Sequence, residues 1–298
     1  MLQCGKEVIF VKYIIDMDIG DDIDDALALY FAMKLDIDIV GITTVFGDTE
    51  KRARITKKML KAYGGKYADV PVFAGCGKDE EAFGKGYMSQ YTDDLNDEAY
   101  APDKGNAVDF IIDCCKKYGS DLAVLAIGPF TNIAKVIEKD KDVLNTIGKV
   151  VIMGGAYFKQ YADWNVMCDV ESAKIMFDNV PTLECLGADV THKLDITAQE
   201  RDKILAYKNG GKNGAGRYVS EIFGIFTNYN RPMYLHDPLA VYYPTDRKIC
   251  SMEKARVEVM VEGITRGITF NIDAYNKAYM NPHCKGYENK NSIMVAKD

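Results

Sequence analysis

A crowded acidic turn, Asp16-Met17-Asp18-Ile19-Gly20-Asp21-Asp22-Ile23-Asp24-Asp25-Ala26-Leu27-Ala28, joins a short apolar segment, Val8–Ile15, to a segment with helical spacing, Asp25–Lys34. In an open α/β sheet, ligands bind outside the carboxyl ends of the strands, where this turn would lie. Six aspartates within ten residues cost free energy unless a cation is bound among them or several are protonated. Capping of the next helix would use only one or two of these carboxylates. Because every candidate ligand atom is an oxygen, the turn predicts a site for Ca²⁺ or Mg²⁺.

Short apolar segments alternate with helical segments beyond this turn. The predicted strands are Val8–Ile15, Ile39–Phe46, Val70–Ala74, Leu122–Ile127, Lys149–Met153 and Thr182–Leu186. The predicted helices are Asp25–Lys34, Thr49–Tyr63, Ala107–Tyr118 and Asn132–Glu138. Short, nearly continuous apolar strands separated by helices are typical of a buried parallel sheet. The pattern therefore predicts an α/β fold with a mostly parallel sheet.

The last third of the chain is more helical in pattern. Its predicted elements are the helices Ala198–Tyr207 and Arg217–Tyr229 and the strand Ala255–Val261. Gly75–Lys104 and Lys208–Gly216 have the composition of long loops, but helix and strand patterns continue on both sides of each. We therefore expect the whole chain, residues 1–298, to form one domain.

Composition excludes several classes of protein. The 44 acidic and 37 basic residues give a net charge of −7, so there is no overall basic surface for nucleic acid or an anionic membrane. No apolar run approaches the roughly 20 residues of a membrane-spanning helix, and the N-terminal apolar stretch lacks the features of a signal peptide. The eight cysteines show no metal-ligand spacing, which favours free thiols in a reducing compartment. We expect a cytoplasmic protein that binds neither nucleic acid nor a membrane.

Two other acidic motifs fit the turn less well. An EF-hand loop starting at Asp16 needs glycine at its sixth position and a bidentate acid at its twelfth, where this chain has Asp21 and Leu27. A haloacid-dehalogenase-type phosphatase also has D-x-D after its first strand, but typically has Thr or Val at the position of Gly20. It also needs a downstream lysine and a late acidic pair, for which the chain has no convincing counterpart. A metal-dependent phosphatase is therefore a distant alternative.

The acidic turn resembles the D-x-D-x-G-x-D-D-A signature of the inosine–uridine-preferring nucleoside hydrolases. Four later segments resemble further motifs of that family in the same order: Gly41-Ile42-Thr43-Thr44-Val45-Phe46-Gly47-Asp48, Leu125-Ala126-Ile127-Gly128-Pro129-Phe130-Thr131-Asn132, Met153-Gly154-Gly155-Ala156 with Asp163-Trp164-Asn165, and His236-Asp237-Pro238. Any one motif is weak, but five in the right order are specific. The resemblance implies a Rossmann-like open sheet with helices on both faces, and an enzyme that hydrolyses ribonucleosides to ribose and a free base. It also implies a homo-oligomer, either a dimer or a tetramer.

The resemblance implies a Ca²⁺ site assembled from distant parts of the chain. Its ligands would be Asp18, Asp25, Asp237 and the main-chain carbonyl of Ile127. The ion would hold a water molecule and lower its pKa, and Asp18 would accept the water's proton as general base. In the family, the 2′- and 3′-hydroxyls of the ribose complete the shell of the ion. Asp16 would orient the metal ligands without touching the ion.

The resemblance also assigns the substrate contacts. Asp24 and Asn165 would bind the 2′- and 3′-hydroxyls of the ribose, and Asp163 would face the 5′-hydroxyl. Asp48 would make one further ribose contact. His236 would assist the departing base, because a group that titrates near neutrality is suited to proton donation.

The chain departs from the family pattern at several positions. Three residues, not one, separate the glycine of the signature from Asp24-Asp25, so Asp21-Asp22 is an alternative functional pair. Asp48 stands where better-known members have Asn, and Asp163 replaces the usual Glu. Gly75–Asp97 contains no histidine, so a second base-activating histidine found there in some members is missing. These departures motivate a second hypothesis, a ribonucleoside- or metal-binding relative without catalysis.

Other polar and aromatic residues have less specific interpretations. Thr131-Asn132 is predicted to cap the helix that follows it. His192 and His283 are predicted to be structural, and Tyr229–Arg231 to lie at an exposed helix end. Trp164, the single tryptophan, could form a wall of the sugar pocket or fill the core.

Overall fold

The structure is a computed structural model that describes residues 11–77, 88–210, 214–227, 232–279, 287 and 290–298. Within these residues, nine strands form one sheet. They are β1 (Lys12–Met17), β2 (Asp38–Thr44), β3 (Val72–Ala74), β4 (Leu122–Ala126), β5 (Lys149–Met153), β6 (Leu183–Leu186), β7 (Met252–Val259), β8 (Thr269–Asn271) and β9 (Ser292–Ala296). Their order across the sheet is β3-β2-β1-β4-β5-β6-β9-β7-β8. Neighbours from β3 to β9 are parallel, whereas β7 is antiparallel to both β9 and β8. The predicted mostly parallel sheet is confirmed.

Helices connect the strands and cover the sheet. In the described residues they are α1 (Asp24–Lys34), α2 (Thr49–Tyr63), α3 (Ala107–Tyr118), α4 (Thr131–Lys139), α5 (Trp164–Cys168), α6 (Val170–Asn179), α7 (Ala188–Thr191), α8 (Ala198–Gly210), α9 (Gly214–Thr227), α10 (His236–Tyr242) and α11 (Ile272–Tyr279). None of the helices in these ranges is both long and apolar enough to span a bilayer.

The core consists of two apolar layers, one on each face of the sheet. Side chains alternate along a strand, so Tyr13, Ile15 and Met17 of β1 enter one layer and Ile14 enters the other. The first layer contains apolar residues of α1, α2, α9 and α10, and the second contains those of α3, α4 and α6. The described residues therefore form a single-domain α/β fold with helices on both faces of its sheet, as expected.

Several element boundaries differ from those predicted. Strand β1 continues to Met17, so Asp16 lies inside the strand and not after it. The loop predicted at Lys208–Gly216 is shorter, because α8 continues to Gly210 and α9 begins at Gly214. Short 3₁₀ turns occupy parts of the loop predicted at Gly75–Lys104. The short strands β8 and β9 were not predicted. Residues 8–10, 78–87, 211–213, Tyr229–Arg231 and His283 lie outside the described residues.

Candidate active site

The candidate site lies where the strand order changes direction. The chain runs outward from β1 through β2 to β3 and then returns to β4 on the other side of β1, which leaves a crevice at the carboxyl ends of β1 and β4. The two strand ends are joined by a hydrogen bond of 2.8 Å from the amide of Ile127 to the carbonyl of Asp16. Gly128 permits close approach here, since a Cβ on it would lie 2.9 Å from Oδ1 of Asp18. The structure thus brings Asp18 and Ile127 together.

Three buried carboxylates converge beside this crevice. Asp24 and Asp25 lie in the first turn of α1, and Asp237 lies in the first turn of α10. One oxygen from each of the three lies within 4.8 Å of the others, and we call these residues the acidic cluster. Asp18 adjoins it, because its amide donates to Oδ1 of Asp25 at 3.2 Å. Residue 237 is thereby brought to the opening turn of the chain, as the sequence interpretation required.

The acidic cluster fits a divalent cation. Burial, reinforced by neighbouring carboxylates, raises the pKa values of Asp24, Asp25 and Asp237 well above the ordinary range. No lysine or arginine of the described residues forms an ion pair with the cluster. Two oxygens on opposite sides of a Ca²⁺ ion are about 5 Å apart, given Ca–O distances of about 2.3–2.6 Å. The spacing, burial and oxygen-only chemistry of the cluster therefore suit a shared cation.

The structure distinguishes the two aspartate pairs of the acidic turn. Oδ2 of Asp21 forms an ion pair of 2.8 Å with Arg52, and Oδ1 of Asp22 accepts from the amide of Ile23 at 2.5 Å. Asp24 and Asp25, by contrast, join the acidic cluster with Asp237. Asp24 and Asp25, and not Asp21 and Asp22, therefore supply the oxygens that lie close to Asp237.

Asp16 lies behind the crevice in a network of neutral donors. Its Oδ1 accepts from the hydroxyl of Thr43 at 2.5 Å and from the side-chain amide of Asn132 at 2.7 Å. Burial raises the pKa of Asp16 to about 7, although both hydrogen bonds lower it. The prediction that Thr131-Asn132 caps a helix is wrong, since Phe130 is the N-cap of α4 and no side chain caps that helix. Asn132 instead bonds Asp16 and two backbone groups, the carbonyl of Thr44 and the amide of Cys76.

Besides Asp24, the residues expected to contact ribose lie at the starts of two helices, α2 and α5. Asn165, in the first turn of α5, donates from Nδ2 to the carbonyl of Ile127 at 2.7 Å, which ties the start of α5 to the end of β4. Asp163 is the N-cap of α5, and burial raises its pKa to about 6 against the opposing effect of backbone N–H donors. Asp48 is the N-cap of α2 and forms an ion pair of 2.9 Å with Lys51. Burial raises the pKa of Asp48, but hydrogen bonds from Lys51 outweigh it and hold the pKa below its ordinary value.

His236 belongs to a cluster of rings beside the acidic cluster. Its Nδ1 lies 2.6 Å from the hydroxyl of Thr191, and its ring centroid lies 5.1 Å from that of His192 and 5.4 Å from that of Tyr234. Burial and the charge of His192 lower the pKa of His236 to about 4. Trp164 does not fill the core, because its side chain is half exposed and meets Phe46 edge-on.

Sequence patterns did not identify several residues that shape this site. Arg52 lies on the buried face of α2, in register with Ile55, Thr56 and Met59. A cation at spacings of three, four and seven from buried positions is unusual, and this signal could have marked Arg52. The hydrogen bonds of Asn132 to Asp16 depend on tertiary contacts and leave no such pattern.

Fold and site together define an α/β protein with buried carboxylates at the carboxyl edge of its sheet that could hold a cation. The sequence profile of the inosine-uridine preferring nucleoside hydrolase family matches residues 13–298, and the chain belongs to this family. The resemblance read from the five motifs is confirmed. The family is metal-dependent, and its members hydrolyse ribonucleosides, so the chain is a glycosidase and not a phosphatase.

Individual relatives agree with this assignment. The chain is 28% identical to a probable uridine nucleosidase 2 of Arabidopsis thaliana, over 96% of this chain and 92% of the relative. It is 27% identical to the pyrimidine-specific ribonucleoside hydrolase RihA of Salmonella enteritidis, over 88% of each. Among solved structures, a purine-preferring ribonucleoside hydrolase from Gardnerella vaginalis is 26% identical with a TM-score of 0.75, covering 96% of this chain and 93% of that one. A plant nucleoside hydrolase at 24% identity has the same fold, with a TM-score of 0.76 over 96% of this chain and 94% of its own.

Proposed function

We propose that this glycosidase is Ca²⁺-dependent and that the acidic cluster and its neighbours form its active site. The observation that carries the proposal is the convergence of Asp24, Asp25 and Asp237 within 4.8 Å, although residue 237 is more than two hundred residues along the chain from the other two. Three buried carboxylates without a neutralising cation are costly. Binding of a divalent ion would remove that cost.

Asp18, Asp25, Asp237 and the carbonyl of Ile127 are the proposed ligands of the ion. Four protein oxygens, with places left for water and a ribose diol, suit the six to eight oxygen ligands of Ca²⁺. When bound, Ca²⁺ would hold the attacking water and lower its pKa. The hydrogen bond of 3.2 Å from the amide of Asp18 to Asp25 supports the pairing of these two ligands.

Asp18 is the proposed general base. Its carboxylate, ionised when it ligates Ca²⁺, would accept the proton of the water that the ion holds. Asp16 supports the site from behind, where Thr43 and Asn132 hold its Oδ1. A developing oxocarbenium ion would meet the negative field of these carboxylates, which favours the transition state.

The proposed ribose contacts follow from the same arrangement. Asp24 and Asn165 would bind the 2′- and 3′-hydroxyls, since Asp24 belongs to the acidic cluster and Asn165 bonds the carbonyl of Ile127. Asp163, buried in the loop before α5, would accept a hydrogen bond from the 5′-hydroxyl. Asp48 would contribute an acceptor from the loop after β2, where its carboxylate also pairs with Lys51.

His236 is the proposed residue that assists the departing base. With its Nδ1 at the hydroxyl of Thr191, its Nε2 is the nitrogen left to face a leaving group. Because the pKa of His236 is lowered to about 4 and does not lie near neutrality as the sequence suggested, it would assist as a neutral imidazole that donates from Nε2. We propose uridine as a substrate, because relatives that match most of this chain are named uridine nucleosidases and a pyrimidine-specific ribonucleoside hydrolase. Inosine is the necessary comparison, since a structural relative is purine-preferring.

Release of free base from uridine, inosine and nicotinamide riboside, measured by chromatography, tests the proposal. Turnover with Ca²⁺ and its loss with a chelator are expected, with recovery when Ca²⁺ is restored. Asp237→Asn should abolish turnover, whereas Asp246→Asn, at an exposed acid just beyond α10, should leave it unchanged. Ca²⁺ and ribose binding by calorimetry without release of any base would instead favour the non-catalytic binding protein.

We further propose that the protein is a cytoplasmic homo-oligomer, either a dimer or a tetramer. The cysteines of the described residues are free, and five of these six are buried, which is compatible with a reducing compartment. Light scattering after size-exclusion chromatography would measure the oligomeric state, and a monomer would contradict this part of the proposal.

A further inference from the structure

Arg52 is a fully buried arginine beneath the acidic turn. Its side chain is 0% exposed, and all three of its nitrogens donate hydrogen bonds. Nε donates to the carbonyl of Phe46 at 2.7 Å, Nη1 donates to the carbonyls of Asp18 and Ile19, and Nη2 donates to the carboxylate of Asp21 at 2.8 Å. A guanidinium offers its donors in a rigid planar fork, so these bonds fix several groups relative to one another.

The groups that Arg52 joins belong to two different loops. Asp18 and Ile19 follow β1, and Phe46 follows β2. Phe46 has a positive φ of 66°, a conformation that non-glycine residues adopt rarely and that the surroundings must hold in place. Its carbonyl is directed at Arg52 in this conformation. One side chain therefore couples the strand end that carries Asp18 to the loop that carries Asp48.

The extra residues of the acidic turn are bonded from two sides. On one side, Nη2 of Arg52 donates to Oδ2 of Asp21. The other carboxylate oxygen of Asp21, Oδ1, is buried and has no hydrogen bond. On the other side Gln90, which is itself fully buried, donates from its side chain to the carbonyl of Asp22 and from its amide to the carbonyl of Gly20 at 3.2 Å. The segment from Gly20 to Asp22 is thus held between α2 and the loop that contains Gln90.

Arg52 places its positive charge close to the site but outside the acidic cluster. Its partners are three carbonyls and Asp21, so it bonds none of the carboxylate oxygens of Asp24, Asp25 and Asp237. Burial lowers the pKa of a guanidinium, but the carboxylates of Asp18 and Asp21 outweigh burial here and raise it. Arg52 therefore remains charged.

We propose that Arg52 is a positioning residue that acts through the main chain of Asp18 and Ile19 and through Asp21 to hold the acidic turn in the shape that binds one cation. Without this anchor, the turn with its two extra residues could place Asp24-Asp25 in several registers relative to Asp237. The inference deepens the proposed function and rests on it, because the cation is itself part of that proposal.

Variants of Arg52 and of its neighbour Arg54 provide a matched test. Arg54 lies on the same helix but bonds Glu50, Leu95 and Asp97, so Arg54→Gln is the control. We expect Arg52→Gln to weaken Ca²⁺ binding, measured by calorimetry, by about 10- to 100-fold, the range found for groups that orient metal ligands. Arg52→Lys should recover part of this loss, and Asp21→Asn should cost less, because Arg52 keeps its backbone bonds. Arg54→Gln should change the affinity less than about twofold.

Hydrogen exchange of the metal-free protein separates failure of this inference from failure of the proposed function. In Arg52→Gln, amides from Asp18 to Asp22 should exchange at least about tenfold faster than in the wild type, whereas Arg54→Gln should not change them. Wild-type protein that binds no Ca²⁺ would overturn the proposed metal site. Wild-type protein that binds Ca²⁺, with folded Arg52→Gln and Arg52→Lys variants of equal affinity and unchanged exchange, would overturn the role of Arg52. Should Arg52→Gln not fold, Arg52→Lys and Asp21→Asn decide: wild-type affinity and exchange in both would overturn the inference.

Discussion

Replacing Asp163 with asparagine should raise the free energy of unfolding of the protein and lower its kcat/KM for uridine. Asp163 is 5% exposed, and burial raises the pKa of its carboxyl group from 3.8 to about 6. Because the folded pKa lies above the unfolded one, the folded state binds this proton more tightly. Stability from this group is fully present below pH 3.8 and is lost as the pH rises to about 6. Two pKa units correspond to about 3 kcal/mol.

Asparagine keeps the oxygen that accepts from the amides of Asn165 and Val166 but carries no charge. At pH 7.5 we expect Asp163→Asn to be more stable than the wild type by about 1–3 kcal/mol, the upper figure being reduced by burial of the new amide. The melting temperature should rise by roughly 2 °C per kcal/mol for a chain of this length. At pH 5 the gain should be about half as large, because part of the wild-type carboxyl is then protonated. Calorimetric melting of both proteins at pH 7.5 and pH 5 measures the gain in stability at each pH. A melting temperature of Asp163→Asn below that of the wild type at pH 7.5 would refute the reasoning.

The substrate half of this prediction uses 5′-deoxyuridine. If Asp163 accepts the 5′-hydroxyl, wild-type kcat/KM should fall about 10- to 100-fold on removal of that hydroxyl, the value of a hydrogen bond to a charged group. With uridine as substrate, Asp163→Asn should lower kcat/KM by most of this 10- to 100-fold factor. With 5′-deoxyuridine, the same substitution should lower kcat/KM little further. Equal losses on the two substrates would exclude Asp163 from this contact.

The other predictions concern the metal, the base and the leaving group. Removal of Ca²⁺ with a chelator should lower the melting temperature, and Ca²⁺ at 100 times its Kd should return about 2.7 kcal/mol of stability; a melting temperature indifferent to Ca²⁺ would contradict the metal site. Asp18→Ala should abolish turnover in steady-state assays with Ca²⁺ in excess, and retention of more than about a tenth of the wild-type kcat, equivalent to a loss of less than about 1.4 kcal/mol, would exclude it as the base. His236→Ala should reduce kcat far more on uridine than on p-nitrophenyl riboside, whose leaving group needs no proton, and equal losses on both would remove His236 from that role.

Local patterns were enough to predict the sheet and the strand ends that line the crevice. The segments that became β1, β4 and β5 are short and apolar on both sides, and this continuous burial is what distinguishes a parallel sheet from a half-exposed one. Strand β8 escaped prediction because it has only three residues, and β9 because burial alternates along its first residues. Such strands depend on pairing with β7, which no local window records.

The candidate site was predicted less completely than the sheet. Motif order placed Asp18, Asp25 and Asp237 in one site, and three-dimensional proximity agrees for the acidic cluster. The choice between Asp21-Asp22 and Asp24-Asp25 could not be made from spacing, since both pairs precede the same helix. The contacts that favour Asp24-Asp25 are tertiary ones, the ion pair of Asp21 with Arg52 and the approach of Asp237 to Asp24 and Asp25.

Burial and charge at this site act against the stability of the metal-free fold. Each carboxyl group of the acidic cluster has a pKa raised by burial and by its neighbours, so ionising it in the folded protein costs free energy that apolar residues in the same places would not. An arginine placed among these groups would relieve the cost, but it would also occupy the oxygens that a metal ion needs. Arg52 instead bonds carbonyls and Asp21, which supplies positive charge nearby without occupying the oxygens of the acidic cluster. Placing the arginine beside the acidic cluster, and not within it, suits a site that binds and releases a cation. It would not be expected of charges that only stabilise the fold.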